Sequence, residues 1–123
     1  MRGWLWLLAG VALGLTAAAG PAPAQEKPEV KLPKGVPEKV AKVLQYVDEH
    51  GKAMPGYEGG RNFGNFEKRL PQFDKKDRKI RYREWDVNPL RKGVNRGAER
   101  LVTGSDGSAY YTKDHYKSFI KIR

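Results

Sequence analysis

The chain has 123 residues, 24 of them Lys or Arg and 14 Asp or Glu, which gives a formal net charge of +10 at pH 7. This length fits one domain, and so large a positive excess favours polyanionic partners such as nucleic acid, anionic lipid or an acidic protein. There are no cysteines and two histidines, which excludes disulfides, thiolate metal sites and cysteine nucleophiles, and leaves too few ligands for most zinc sites.

Residues 1–24 have the pattern of a secretory signal peptide: a positive residue, a long apolar run, and small residues ending in Ala-Pro-Ala. We predict cleavage between Ala24 and Gln25 and export to the periplasm or the extracellular medium. The alternative is an uncleaved membrane anchor, because residues 3–20 are nearly long enough to span a bilayer. The Pro- and Lys-rich segment 25–36 lacks apolar periodicity and predicts a flexible leader.

The remaining residues, 37–123, predict one α+β domain that begins with a helix. Pro37 suits the first turn of this helix, and Gly51 suits its end, next to His50 at the negative pole. Apolar residues between them recur at spacings of three and four, which indicates one buried stripe. The stripe consists of Val40, Val43, Leu44 and Val47.

The glycine-rich stretch 55–71 predicts a loop whose backbone approaches another group closely. Beyond it, alternating patterns predict a small antiparallel sheet that packs one face on the helix. Its strands are predicted at 79–87, 97–103, 109–112 and 117–122, with a tight turn at 104–107.

Five chemically active residues are expected to meet on one face of this sheet. Alternation with a period of two places Glu84 and Asp86 on the same face of one strand, and Arg96 and Arg100 on one face of the next. His115 follows one hairpin later, within the run 110–119 near the end of the chain, whose pattern also resembles a strand. A carboxylate, an imidazole and two guanidinium groups can therefore converge.

Such a set can cleave RNA. Glu84 suits the base that removes the 2′-OH proton, and His115 suits the acid that protonates the departing 5′-oxygen. Arg96 and Arg100 suit the clamp on the phosphorane, because guanidinium forks match phosphate oxygens. No metal or cofactor is needed, since the nucleophile lies within the substrate. Each residue alone also fits an ordinary role, such as a cross-strand ion pair or a structural histidine.

Four segments of the C-terminal half resemble barnase and its relatives, the small secreted microbial guanyl-preferring ribonucleases. They occur in the family's order and end the chain as family members end. They are FGNFEKRLP (63–71), YREWDV (82–87), RGAERLVTG (96–104) and YYTKDHYKSFIKIR (110–123).

The resemblance implies the microbial ribonuclease fold and a matching set of catalytic roles. Glu84 corresponds to the family's general base, His115 to its general acid, and Arg96 and Arg100 to its paired arginines, which Asp86 would orient. The reaction implied is transesterification of single-stranded RNA to a 2′,3′-cyclic phosphate, followed by hydrolysis to a 3′-phosphate.

The resemblance also implies a guanine site. Glu67 corresponds to the carboxylate that accepts hydrogen bonds from guanine N1–H and N2–H₂, and Asn65 with the backbone of Gly64 and Phe66 would cradle O6 and N7. Phe63 and Tyr116 are expected to hold the base between their rings.

The chain departs from the family's pattern at three places. Phe66 replaces the arginine that usually precedes the reading glutamate, and the loop between Asp86 and Arg96 is longer than in barnase. At the expected place of an auxiliary phosphate ligand stands Glu58, which would repel phosphate. Arg61 and Lys52 are the open candidates to compensate.

Two other functions remain as alternatives. A catalytically silent, cationic RNA-binding protein would place Glu84 and His115 too far apart to flank one phosphate. A membrane-active protein would need a cationic amphipathic helix, for which the helix at 37–50 is too mixed in charge. The expected partners are RNA and an acidic, barstar-like inhibitor protein, with a monomeric chain and no stable membrane association after processing.

Overall fold

The structure, a computed structural model, describes residues 31–123. The predicted signal peptide and the first part of the predicted leader lie outside the described residues. One helix is followed by five strands: α1 (Glu38–His50), β1 (Gly59–Phe63), β2 (Tyr82–Asp86), β3 (Arg100–Gly104), β4 (Ala109–Thr112) and β5 (Ile120–Lys121). The strands form one antiparallel sheet in the order β1-β2-β3-β4-β5. The α+β prediction is confirmed.

Helix α1 buries the stripe that the sequence predicts. Val40, Val43, Leu44 and Val47 are all buried. Gly51 ends the helix in the left-handed conformation, with φ of 66°, and its N–H donates to the carbonyl oxygen of Val47 at 2.8 Å. In the described part of the chain no helix is long and apolar enough to cross a membrane.

The apolar stripe packs on one face of the sheet, against Trp85, Val87, Leu101, Ala109 and Tyr111. Leu32 and Val36 join this core, although both belong to the segment predicted as a flexible leader. Their side chains are apolar and four residues apart, so a single turn places both on the core. Residues 31–36 are therefore part of the folded body.

The stretch predicted as a loop at 55–71 contains strand β1, so that prediction is wrong for residues 59–63. Glycine and asparagine have low strand propensity, and here pairing with β2 overrides it. The predicted close backbone approach does occur. Gly59 has a φ of 151°, and a Cβ added there would lie 2.7 Å from the Cα of Trp85. Only glycine fits at this close approach of β1 to β2, where a β-bulge shifts the register of the two strands.

Strand β4 has the predicted bounds, whereas β2, β3 and β5 are shorter than predicted. Strand β3 begins at Arg100, so Arg96 lies in the preceding loop and not on a strand. Strand β5 covers only residues 120–121, which leaves His115 in the turn after β4. Predicting His115 on a strand was wrong, because hydrogen bonds from nearby side chains compete with the sheet there.

The sheet face away from the helix carries a second apolar cluster of Leu70, Ile80, Tyr82, Val102 and Tyr110. Phe63, Tyr116 and Phe119 pack against it. The hydroxyl of Tyr82 donates to the carbonyl oxygen of Pro71 at 2.6 Å, which ties the segment after β1 to the sheet. This face positions the candidate site.

Candidate active site

Strand register brings three of the predicted residues to the sheet face that lacks the helix. Glu84 on β2 pairs with Arg61 on β1, and Asp86 pairs with Arg100 on β3. Directly opposed residues of antiparallel strands point to the same face. Glu84, Asp86 and Arg100 therefore share one surface, and Arg61 joins them.

Glu84 is held by two partners. Its Oε1 accepts from Nε of Arg61 at 3.1 Å, and its Oε2 accepts from the hydroxyl of Tyr116. The Glu84 side chain is 17% exposed and that of Arg61 is 50% exposed, so the pair lies at the edge of solvent. Burial first, and then the hydrogen bond to Glu84, raise the pKa of Tyr116 above its usual range, which keeps its hydroxyl protonated as a donor.

Asp86 lies behind Glu84 and is 1% exposed. Its carboxylate oxygens lie 3.3 Å from Nε of Arg96 and 3.2 Å from Nε of Arg100. Both contacts are ion pairs without hydrogen-bond geometry. Burial raises the pKa of Asp86, and the charges of the two arginines oppose that shift. The carboxylate thus sits between the two guanidinium groups.

The two arginines are restrained differently. Nη1 of Arg96 donates to Oε2 of Glu58 at 2.8 Å, so the carboxylate expected to repel phosphate is neutralised by an ion pair. Arg100 is 4% exposed, and its Nη1 donates to the carbonyl oxygens of Gly97 at 3.0 Å and Glu99 at 2.6 Å. Arg100 is therefore the more fixed of the two cations.

His115 sits in a turn built by side chains of its own segment. The hydroxyl of Thr112 donates to Oδ1 of Asp114 at 2.9 Å and accepts from the N–H of Tyr116 at 3.0 Å. The N–H and the hydroxyl of Ser118 donate to Asp114 at 2.9 and 2.6 Å. His115 and Tyr116 both have positive φ, 55° and 72°, and this network holds them there. Thr-x-Asp-x-x-x-Ser was the signal for a turn.

Asp114 gives a testable pH dependence. The hydroxyl and then the N–H of Ser118 hold the pKa of Asp114 down at about 2, against about 3.9 in an unfolded chain. A carboxylate with a lowered folded-state pKa stabilises the fold above its unfolded pKa, and that contribution is lost as pH falls through the folded value. We expect Asp114→Ala to lower the melting temperature at neutral pH, and the deficit to shrink between about pH 4 and pH 2.

Thermal unfolding followed by circular dichroism across this pH range measures the effect. Ser118→Ala is the matched variant, because it keeps the carboxylate and removes the donor with the largest influence on it. Its deficit should shrink over the same interval. A deficit in Asp114→Ala that stays constant down to pH 2 would show that the carboxylate charge does not support this turn.

Tyr116 connects the predicted base and the predicted acid. Its hydroxyl contacts Glu84, and its ring centroid lies 4.8 Å from that of His115. The N–H of His115 donates to the carbonyl oxygen of Ala98 at 2.9 Å, which anchors the turn to the loop before β3. Glu84 and His115 therefore lie on the same side of the molecule, because both contact the side chain of Tyr116.

The residues predicted to hold guanine line one cavity of about 290 Å³, together with His115. They are Phe63, Gly64, Asn65, Phe66, Glu67 and Tyr116. The Asn65 side chain bridges the N–H and the carbonyl oxygen of Leu70, at 3.1 and 2.8 Å, and Asn65 has a φ of 51°. The amide of Asn65 thus closes the loop.

The rings of Phe63 and Tyr116, which are predicted to hold a base between them, pack directly on each other. Their ring centroids lie 4.7 Å apart with an interplanar angle of 33°, so the rings pack on each other. A base between two rings needs about 7 Å, twice the carbon–carbon contact distance of about 3.5 Å. In this structure the two aromatics occupy the space that the prediction assigned to guanine.

Two site residues were not assigned from the sequence. Arg69 forms an ion pair with Glu67 through Nη1, and the Glu67 side chain is 71% exposed. Arg61, an open candidate from the sequence, contacts Glu84. The only sequence signal for Arg69 is its opposite charge two residues from Glu67. The sequence does not indicate that Arg61 contacts Glu84, because that contact depends on strand β1, which was not predicted. No cluster of three or more His, Cys, Asp or Glu within residues 31–123 is arranged to hold a metal ion.

Comparisons of the sequence with known proteins identify ribonucleases as its relatives. A family model described as ribonuclease matches residues 21–123. A ribonuclease of Heyndrickxia coagulans is 42% identical over 65 residues, which are 53% of this chain and 54% of that protein. The guanyl-specific ribonuclease St of Saccharopolyspora erythraea is 39% identical over 71 residues, 58% of this chain and 65% of that protein. The match spans about half the length of the first of these relatives.

Solved structures agree in fold. A crystal structure of ribonuclease Sa2 with guanosine-2′-cyclophosphate is 30% identical, with a TM-score of 0.50, and the match covers 71% of this chain and 86% of that one. A second Sa2 structure, with exo-2′,3′-cyclophosphorotioate, is 29% identical, with a TM-score of 0.51, and the match covers 71% and 87% of the two chains.

Proposed function

Because the chain belongs to the ribonuclease family, we propose that it is an endoribonuclease that cleaves single-stranded RNA on the 3′ side of guanosine. The observation that carries the proposal is the position of Tyr116. Its hydroxyl touches the carboxylate of Glu84, its ring lies against that of His115, and both rings border the cavity that Glu67 also lines. Base, acid and recognition loop thus adjoin one another.

In the first step, Glu84 accepts the proton of the guanosine 2′-OH as the 2′-oxygen attacks phosphorus. The P–O5′ bond breaks, and protonated His115 donates its proton to the departing 5′-oxygen. The products are a 2′,3′-cyclic phosphate and a free 5′-hydroxyl. In the second step the roles reverse. His115 removes a proton from water and the water oxygen attacks phosphorus. The P–O2′ bond breaks, and Glu84 returns its proton to the departing 2′-oxygen, so the product is a 3′-phosphate with a free 2′-hydroxyl.

Negative charge on the phosphorane is stabilised by fixed cations. Arg100 is buried and oriented by Asp86, so it needs no reorganisation during the reaction. Arg61 is half exposed beside Glu84 and is the cation nearest the base on the solvent side. It supplies positive charge where the resemblance expected a separate phosphate ligand, while Arg96 remains shared between Asp86 and Glu58.

Substrate binding requires Tyr116 to move. The ring of Tyr116 packs on Phe63, so guanine cannot lie between the two rings until Tyr116 withdraws. The hydroxyl of Tyr116 also donates to Glu84, and a hydrogen bond to a carboxylate makes it a weaker base. Withdrawal of Tyr116 therefore opens a face of Phe63 for guanine and makes Glu84 a stronger proton acceptor in the same movement.

Guanine preference rests on Glu67. A carboxylate accepts hydrogen bonds from the N1–H and N2–H₂ of guanine together, and adenine offers no such pair of donors. The Glu67 side chain is largely exposed on the rim of the cavity and can exchange Arg69 for the base. The similarity to ribonuclease St, a guanyl-specific enzyme, supports this assignment.

The test is cleavage of GpU and ApU in the presence of EDTA. We expect cleavage after guanosine, with the cyclic phosphate accumulating before the 3′-phosphate, and at least 10²-fold slower cleavage of ApU. Glu67→Gln should reduce the ratio of the two kcat/KM values on the order of tenfold or more, because the charged acceptor is lost. Glu38→Gln, in the first turn of α1, is the matched control and should preserve the ratio.

Two results would contradict the proposal. Binding of RNA without any cleavage would favour the cationic RNA-binding alternative. Equal cleavage of GpU and ApU by the wild-type protein would remove Glu67 as the discriminating group while leaving the catalytic assignment intact. Chromatographic separation of the cyclic and linear products distinguishes these outcomes.

A further inference from the structure

A second cavity, of about 390 Å³, adjoins the recognition loop. Its volume falls within the range of small-molecule sites. It shares one wall with the guanine cavity, since Asn62, Phe63, Gly64, Asn65 and Phe66 line both. None of the catalytic candidates lines it, whereas His115 lines the guanine cavity. The second cavity therefore lies on the side of the recognition loop away from the scissile bond.

Two exposed aromatic rings border this second cavity. Phe66 is 92% exposed and Phe73 is 57% exposed, although burial of either ring would be favourable. The ring of Phe66 rests on Gly64, where an added Cβ would overlap its edge. Two exposed aromatic rings that line one cavity with polar residues around them form a candidate interaction surface. Both rings have a free face toward solvent.

Phe73 is held in place by a small hairpin. It forms an isolated antiparallel bridge with Lys79. Between them, Oδ1 of Asp74 accepts from the N–H groups of Lys76 and Arg78 at 2.8 and 3.0 Å. Exposure of the Phe73 ring is therefore fixed by the backbone around it.

The cavity is cationic. Lys68, Lys79 and Arg81 line it, and no carboxylate does. Within residues 31–123 none of these three side chains forms an ion pair. Aromatic faces combined with unpaired cations are the standard means of holding single-stranded nucleic acid, with bases on the rings and phosphates on the charges.

On these grounds we propose that Phe66 and Phe73, with Lys68, Lys79 and Arg81, form a second subsite for RNA, which binds the nucleotide on the 5′ side of the cleaved guanosine. The base stacks on the aromatic rings, and the cations bind the phosphate that links it to guanosine. The 5′ direction follows because the catalytic groups occupy the 3′ side of the guanine cavity. This inference rests on the proposed function.

The test compares GpU, pGpU and ApGpU as substrates. GpU does not reach the second subsite, pGpU offers it a phosphate, and ApGpU offers a phosphate and a base. We expect kcat/KM to rise from GpU to pGpU to ApGpU. Phe73→Ala should lower kcat/KM for ApGpU on the order of tenfold, because the stacking of one base is lost. It should leave kcat/KM for GpU unchanged. Lys79→Ala should lower kcat/KM for both pGpU and ApGpU and leave kcat/KM for GpU unchanged.

Matched variants separate stacking and local charge from general effects. Phe73→Trp keeps an aromatic face and should preserve the preference for ApGpU, whereas Phe73→Leu should lose it. Lys42→Ala removes an exposed charge from α1, on the opposite face of the sheet, and should alter none of the three rates. Urea unfolding of each variant checks that the fold is retained.

Equal kcat/KM for GpU and ApGpU in the wild-type protein would overturn the inference, as would a Phe73→Ala variant that slows both substrates alike. Absence of GpU cleavage would instead count against the proposed function. The subsite is then tested by affinity, with 2′-deoxyguanosine versions of GpU and ApGpU that cannot be cleaved. Tighter binding of the longer analogue, lost in Phe73→Ala, supports the subsite, and equal binding rejects it.

Discussion

Replacing His115 with alanine is expected to lower kcat for GpU cleavage about 10²–10⁴-fold, because the departing 5′-oxygen loses its proton donor. Glu84→Gln should cause a loss of similar size, since the amide keeps the shape of the side chain but accepts no proton. Steady-state cleavage of GpU at several pH values measures both effects. The wild-type profile should be bell-shaped, and each variant should lose one limb of it.

The double variant makes this test sharper. If Glu84 and His115 act on the same transition state, Glu84→Gln combined with His115→Ala should cost little more than either change alone. His50→Ala is the matched control, because His50 stacks on Tyr46 at a centroid distance of 4.0 Å at the end of α1. Retention of activity in either single variant, with the fold intact, would show that the pair is not the catalytic couple.

Replacing Asp86 with asparagine is expected to reduce the free energy of unfolding by about 3–5 kcal/mol. Asp86 is 1% exposed and Arg100 is 4% exposed, so loss of the carboxylate charge leaves a buried guanidinium without compensation. Arg96 would also lose one of its two carboxylate partners. For a domain of this size such a loss is a large fraction of the total stability. Urea unfolding at 25 °C and neutral pH measures it.

Asp48→Asn is the matched control for this prediction. Asp48 binds Arg123 with two hydrogen bonds, at 2.6 and 2.8 Å, but both side chains are more than a third exposed. Solvent screens such a pair, and its loss should cost no more than about 1 kcal/mol. If Asp86→Asn proves no more destabilising than Asp48→Asn, the buried charge cluster does not stabilise the fold.

Several features followed directly from local pattern. The stripe from Val40 to Val47 and the stop at Gly51 required only helical periodicity and the need for a left-handed residue after the last turn. The shared face of Glu84 and Asp86 required only the alternation of a strand. These features depend on neighbours within a few residues of one another, so the order of amino acids is sufficient information.

Other features depend on partners that are distant in the chain. Strand β1 exists because it pairs with β2, and Arg61 reaches Glu84 through that pairing, 23 residues away. Arg96 reaches Asp86 from a loop, where strand alternation has no meaning. The turn at His115 lies between the two cases, because its hydrogen bonds are local and their pattern was readable, but strand propensity dominated the prediction.

The amino-acid sequence by itself determined which chemical groups the protein has: two carboxylates in one strand, a late histidine, paired arginines and a glutamate in the predicted recognition loop. Tertiary structure decided which of them touch. It placed Tyr116 against Phe63 and Glu84, and it set Arg61 beside Glu84. The reason is physical: residue type and local spacing set the available chemistry and backbone period, whereas contact distances depend on how separate segments pack on a common core.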